Sequence, residues 1–128
     1  MAHILVVDDD AQIRSALSEF IGKIGHSVET AEDGVKALKY IDGHKVDLVI
    51  LDIIMPEQDG IGTILHLMKS PQQPPIIAIS GGSRHFDENF VHNIVNTLSN
   101  TVFLQKPFSL EEMGSAIKKA LSEKCAND

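Results

Sequence analysis

Short, fully apolar runs alternate along this chain with stretches in which apolar residues recur every three or four positions. Ile4–Val7 is the first run, and three aspartates, Asp8, Asp9 and Asp10, follow it at once. Asp10 then precedes Ile13, Leu17, Phe20, Ile21 and Ile24. Steps of +4, +7, +8 and +11 lie on one helical face, so a capped amphipathic helix is expected there, with Gly25 as its stop. Ser27–Ala31 reads as a weaker second strand, and Asp33-Gly34 opens a second helix with Val35, Leu38 and Ile41 inward, ending at Gly43. Asp47–Asp52 forms the third strand, and Ile61, Ile64, Leu65 and Met68 mark a third helix closed by Ser70-Pro71. Pro75–Ile79 is a fourth strand leading into Ser80-Gly81-Gly82, followed by a fourth helix near Glu88–Leu98. Val102–Gln105 is the fifth strand, ending at Lys106 and Pro107. Ser109 caps a last helix carrying Leu110, Met113, Ile117 and Leu121, and Glu112 three residues on completes a capping box.

Strand–helix alternation of this kind is the pattern of an α/β fold with a doubly wound parallel sheet. Five strands and five helices suit the flavodoxin-like order 2-1-3-4-5, a layout taken from known folds of this class. At 128 residues, the chain is expected to form one domain over residues 1–128.

Composition narrows the function. A net charge of −7, with no basic cluster beyond Lys118-Lys119, argues against direct nucleic-acid binding, which needs a basic patch. No apolar stretch approaches the ~20 residues that span a bilayer, and three aspartates interrupt the N-terminal run where a signal peptide would continue. The single cysteine, Cys125, allows no internal disulfide, so a cytoplasmic location is expected. His3, His26, His44, His66, His85 and His92 show no ligand spacing and read as structural or surface residues.

The chemistry lies at the strand ends. Under the order 2-1-3-4-5, Asp8 and Asp9, Asp52, Ser80 and Lys106 line one edge of the sheet at steps of ~4.8 Å. Strand 5 is then ~10 Å from strand 3, a gap that only a long side chain such as lysine spans. Three carboxylates in such proximity repel one another and need a hard cation to coexist ionised. Mg²⁺ suits an all-oxygen site and neutralises charge as a phosphoryl group moves onto a carboxylate. Lys106 offers a point charge to Asp52 or the phosphoryl, and the Ser80 hydroxyl and nearby backbone N–H groups can donate to its oxygens. An aspartyl phosphate, a mixed anhydride, is a transient mark.

Val6-Val7-Asp8-Asp9, Leu51-Asp52-Ile53-Ile54-Met55-Pro56 with Asp59-Gly60, Ser80-Gly81 and Lys106-Pro107-Phe108 together resemble the receiver domain of two-component response regulators. The resemblance covers residues 3–122. It implies that Asp52 accepts a phosphoryl group from a sensor histidine kinase or a histidine phosphotransfer protein. It implies that Asp9, Asp52 and the Ile54 carbonyl bind Mg²⁺ directly, with Asp8 acting through water. A Ser80/Phe103 switch signalling to a downstream protein target, and a cis Lys106–Pro107 bond, are implied in the same way. Phe103 also reads as a plain core residue. Such a protein is a stand-alone regulator or the receiver part of a larger one, and a signalling switch rather than an enzyme. Two alternatives stand beside it. A Mg²⁺-dependent phosphatase with an aspartyl nucleophile resembles the haloacid-dehalogenase type, but its second acid would fall at Ile54. A receiver-like interaction domain that takes no phosphate sits poorly with a complete acid, serine and lysine set. From Ser80 to Lys106 the chain runs longer than common receiver spacing, so a mobile loop over Gly81–Asp87 and a displaced fourth helix are expected.

Overall fold

A computed structural model describes residues 2–52, 74–81, 101–106 and 108–126. The chain runs β1 (His3–Val7), α1 (Ala11–Lys23), β2 (Ser27–Ala31), α2 (Gly34–Gly43), β3 (Leu48–Asp52), β4 (Ile76–Gly81), β5 (Thr101–Lys106) and α3 (Leu110–Ala126). All pairings are parallel, and the strand order is β2-β1-β3-β4-β5, as expected. The helices expected at Ile61–Met68 and near Glu88–Leu98 lie outside the described residues, as do residues 82–87 of the expected loop. Gly81 was expected in that loop but ends β4, where it pairs with Lys106.

Strand alternation divides the core between the two faces of the sheet. Leu5, Val7, Val49, Leu51 and Ala78 pack with Ala37 and Ile41 of α2. Ile4, Val6, Leu48, Ile50, Ile77 and Ile79 pack with Leu17 and Ile21 of α1 and with Met113 and Ile117 of α3. Helices on both faces explain why β1 and β3 are apolar at successive positions rather than alternate ones. Each large side chain buried in this way contributes roughly 1.5–3 kcal/mol.

The helix signals in the sequence act as anticipated. The Asp10 carboxylate accepts from Gln12 N at 2.9 Å, and that of Asp33 accepts from Lys36 N at 2.8 Å. Ser109 and Glu112 exchange reciprocal bonds of 3.0 and 3.2 Å. Gly25 ends α1 at φ 95°, a backbone angle open to glycine without steric cost. Among the described residues no helix is long and apolar enough to cross a membrane.

Three expected core positions are exposed: Ile24, Val35 and Leu110. Val35 lies ~100° around the α2 axis from Gly34, outside the arc through Gly34, Ala37 and Ile41 that meets the sheet. Ile24 and Leu110 differ in that they lie at helix ends, Ile24 just after α1 and Leu110 as the first residue of α3, away from the buried middle turns of each helix.

Candidate functional site

Asp52 is the last residue of β3, and Asp8 immediately follows β1. Because Val7 pairs with Leu51, the next residue on each strand brings Asp8 beside Asp52 at the carboxyl edge. Both are almost fully buried, whereas Asp9, one residue on, is exposed. One carboxylate oxygen from each of the three lies within 4.8 Å of the other two. Pairing of Asp52 with Ile79 puts Ser80 one residue past Asp52 on the adjacent strand. Lys106 ends β5 opposite Gly81, and Phe103 pairs with Ala78. The backbone thus sets Asp8, Asp9, Asp52, Ser80 and Lys106 along one edge of three consecutive strands and the turn after β1. Phe103 lies within β5, three residues before Lys106. Ile54 and Pro107 lie outside the described residues.

The segment between β1 and α1 is tightly tied. Asp8 N donates to Ala31 O at 3.2 Å, and Asp8 Oδ1 accepts from Asp10 N at 2.9 Å. Arg14 Nη1 donates to the Asp8 carbonyl at 2.5 Å. Asp9 differs from its neighbours: among the described residues its carboxylate takes no protein partner. An exposed, uncommitted carboxylate beside two buried ones is the donor arrangement that a hard cation meets from the solvent side.

The separations bear on ligation. Two trans ligands on octahedral Mg²⁺ at 2.0–2.1 Å stand ~4.2 Å apart. Oxygens that all lie within 4.8 Å of one another are compatible with carboxylates sharing one such ion, directly or through water.

A model of the response regulator receiver domain matches residues 4–118. The chain belongs to the response regulator receiver family. Response regulator MprA of Mycobacterium sp. (strain KMS) is 35% identical over 120 residues, which are 92% of this chain and 50% of that protein. Among solved structures, chemotaxis protein CheY4 of Vibrio cholerae is 28% identical with a TM-score of 0.82, covering 94% of this receiver and 99% of that chain. TrrA of Thermotoga maritima, solved in complex with Mg²⁺-BeF, is 31% identical with a TM-score of 0.79, covering 94% of this receiver and 100% of that chain. The chain spans about half the length of the curated relatives it matches.

Sequence reasoning missed Arg14. The available signal was a basic residue one turn into α1, six positions after Asp8, on a helix whose preceding loop is all acid. It missed a polar network at the opposite edge as well. There His3 bonds Ser27 Oγ and the Tyr40 hydroxyl, each at 2.5 Å, and Tyr40 stacks on His44 at 4.0 Å.

Proposed function

We propose that this receiver takes a phosphoryl group onto Asp52 from the phosphohistidine of a sensor histidine kinase or histidine phosphotransfer protein, and signals to a downstream protein target. Convergence of three carboxylates at the carboxyl edge of the sheet carries the reading. An Asp52 oxygen attacks phosphorus as the P–N bond to the donor imidazole breaks, and the imidazole leaves neutral after taking a proton from solvent. Asp52 is buried on a rigid strand and presents its carboxylate in a fixed direction, which favours in-line attack. Asp9, Asp52 and the Ile54 carbonyl, with Asp8 through water, would hold Mg²⁺, which would supply charge neutralisation at the phosphoryl oxygens. The Lys106 ammonium and the Ser80 hydroxyl bind those oxygens, and a Ser80/Phe103 rearrangement transmits the change. The module works as a non-enzymatic switch in the cytoplasm, as a stand-alone regulator or as part of a larger one. The phosphatase alternative lacks an acid two residues after Asp52, and net charge −7 disfavours direct nucleic-acid binding.

Incubation with acetyl phosphate and Mg²⁺, read by intact mass, tests the assignment. The wild-type chain gains one phosphoryl mass, and Asp52→Asn or chelation abolishes the gain. A phosphorylated Asp52→Asn chain would refute it.

A further inference from the structure

We infer that Arg14 is a positioning residue for the acidic site, fixing the Asp8–Asp9 peptide so that the exposed Asp9 carboxylate faces the cation; this rests on the proposed Mg²⁺-dependent reading. The observation is the bond from Arg14 Nη1 to the Asp8 carbonyl at 2.5 Å. That oxygen belongs to the peptide group joining Asp8 to Asp9. Holding it fixes the peptide plane and the position of the Asp9 Cα, and with the Asp10 N–H held by Asp8 Oδ1 the peptides on both sides of Asp9 are set. Asp8 is anchored on its other side through its N–H to Ala31 and through Oδ1 to Asp10 N. Asp9 has no such anchor of its own, so the clamp on the preceding carbonyl is what orients it.

Arg14 is itself held in place. Its N–H donates to Asp10 O at 3.1 Å as the first helical bond of α1, whose N-cap is Asp10. The guanidinium therefore reaches back from a rigid helix turn to the end of β1. A guanidinium near three acids also invites a charge-balancing role, which would act with the opposite sign on a bound cation. Geometry decides between the two. Arg14 pairs with a backbone carbonyl, makes no ion pair among the described residues, and is half-exposed, so its charge is screened while its bond is directional.

The test compares Arg14→Met and Arg14→Lys with the wild-type chain. Lysine keeps the charge on a more compact head and lacks the planar fork. Amide hydrogen exchange without metal, Mg²⁺ affinity by calorimetry, and thermal melting are measured on all three. Both variants should melt within a few degrees of wild type. Both should exchange faster at the Asp10 amide, which is bonded to Asp8 Oδ1, and bind Mg²⁺ several-fold more weakly, with lysine failing to restore affinity. Wild-type exchange and affinity in Arg14→Met would overturn the inference. Tighter Mg²⁺ binding in Arg14→Met, reversed by lysine, would also overturn it in favour of a charge role. Because exchange and Mg²⁺ affinity are read without any phosphodonor, a wild-type chain that binds Mg²⁺ but takes no phosphoryl group would defeat the proposed function and leave this test intact.

Discussion

Replacing Asp52 by asparagine should make the metal-free protein more stable while removing most of its response to Mg²⁺. Asp8 and Asp52 are 1% and 3% exposed, and their oxygens lie within 4.8 Å. Two unit charges at that distance repel by about 3.5 kcal/mol at an effective dielectric of ~20 and about 0.9 kcal/mol in water. Asparagine keeps the size of the side chain and ends the repulsion. Solvent at the mouth of the site already screens part of it, so the gain should be about 1–3 kcal/mol. Unfolding entropy near ~2.1 cal/mol/K per residue gives a chain of this length about 0.27 kcal/mol per degree, so melting should rise by about 4–11 °C. The wild-type chain should recover stability from the cation instead. At a hundredfold excess over Kd, Mg²⁺ contributes about 2.7 kcal/mol, or about 10 °C. Calorimetric melts in EDTA and in Mg²⁺, at low ionic strength, measure both quantities. If Asp52→Asn melts at or below wild type in EDTA, or gains as much from Mg²⁺, the three acids are not a mutually repelling cation site.

Further outcomes follow from the same geometry. Asp9→Ala should weaken Mg²⁺ binding by more than the ~10–100-fold typical of an outer-shell loss, and Asp8→Ala by an amount within that range, because Asp8 Oδ1 is already bonded to Asp10 N; equal losses in a titration would refute the ranking. Tyr40 has its pKa raised above 10.0, by burial first and by the Glu29 charge second. Its contribution to stability is therefore complete below the unfolded value of ~10 and is lost as pH rises through the folded one. It is the chain's only tyrosine and there is no tryptophan, so tyrosinate absorbance reads it directly; Glu29→Gln should lower the midpoint yet leave it above 10.0, and a wild-type midpoint at or below 10.0 would contradict this. Gly114→Ala should raise melting by about 1–3 °C. Helix propensity favours alanine by ~1 kcal/mol, and the new Cβ meets only the end of the half-buried Phe20 ring at 3.3 Å, which can tilt away; a lowered melting temperature would show that Phe20 is fixed.

The sheet and the grouping of Asp8, Asp9 and Asp52 at its edge were legible because two independent codes agreed. Continuous apolar runs at β1 and β3 announced strands covered on both faces, and each such run ended in acid. Given the strand order, the placement of Asp8 beside Asp52 needs nothing but register. What was not legible depends on where elements stop and on what reaches across them. Ile24 and Leu110 have the right azimuth on their helices, yet periodicity says nothing of how burial falls off at a helix end. Val35 was misplaced because Gly34 and Ala37, small residues with weak hydrophobic signal, define the buried arc of α2. Arg14 escaped because a side chain bonding to a backbone carbonyl leaves no sequence motif. The His3–Tyr40 bond joins residues 37 positions apart, which local spacing does not reveal.

The two edges of the sheet divide the work between them. At the amino edge, polar groups satisfy one another: His3 N donates to Asp47 Oδ2 at 2.8 Å, Ala2 N donates to His26 Nδ1 at 3.0 Å, and His3 bridges Ser27 and Tyr40. At the carboxyl edge, like charges are brought together and one of them, Asp9, is left without a partner among the described residues. Such a cluster would spread apart on a flexible scaffold, since a small displacement relieves repulsion quickly at these distances. Here β1 and β3 are packed on both faces, and moving either strand end would open voids in two cores at once. Repulsion is thus held by packing that lies elsewhere in the fold, and it is available to favour a cation that neutralises it.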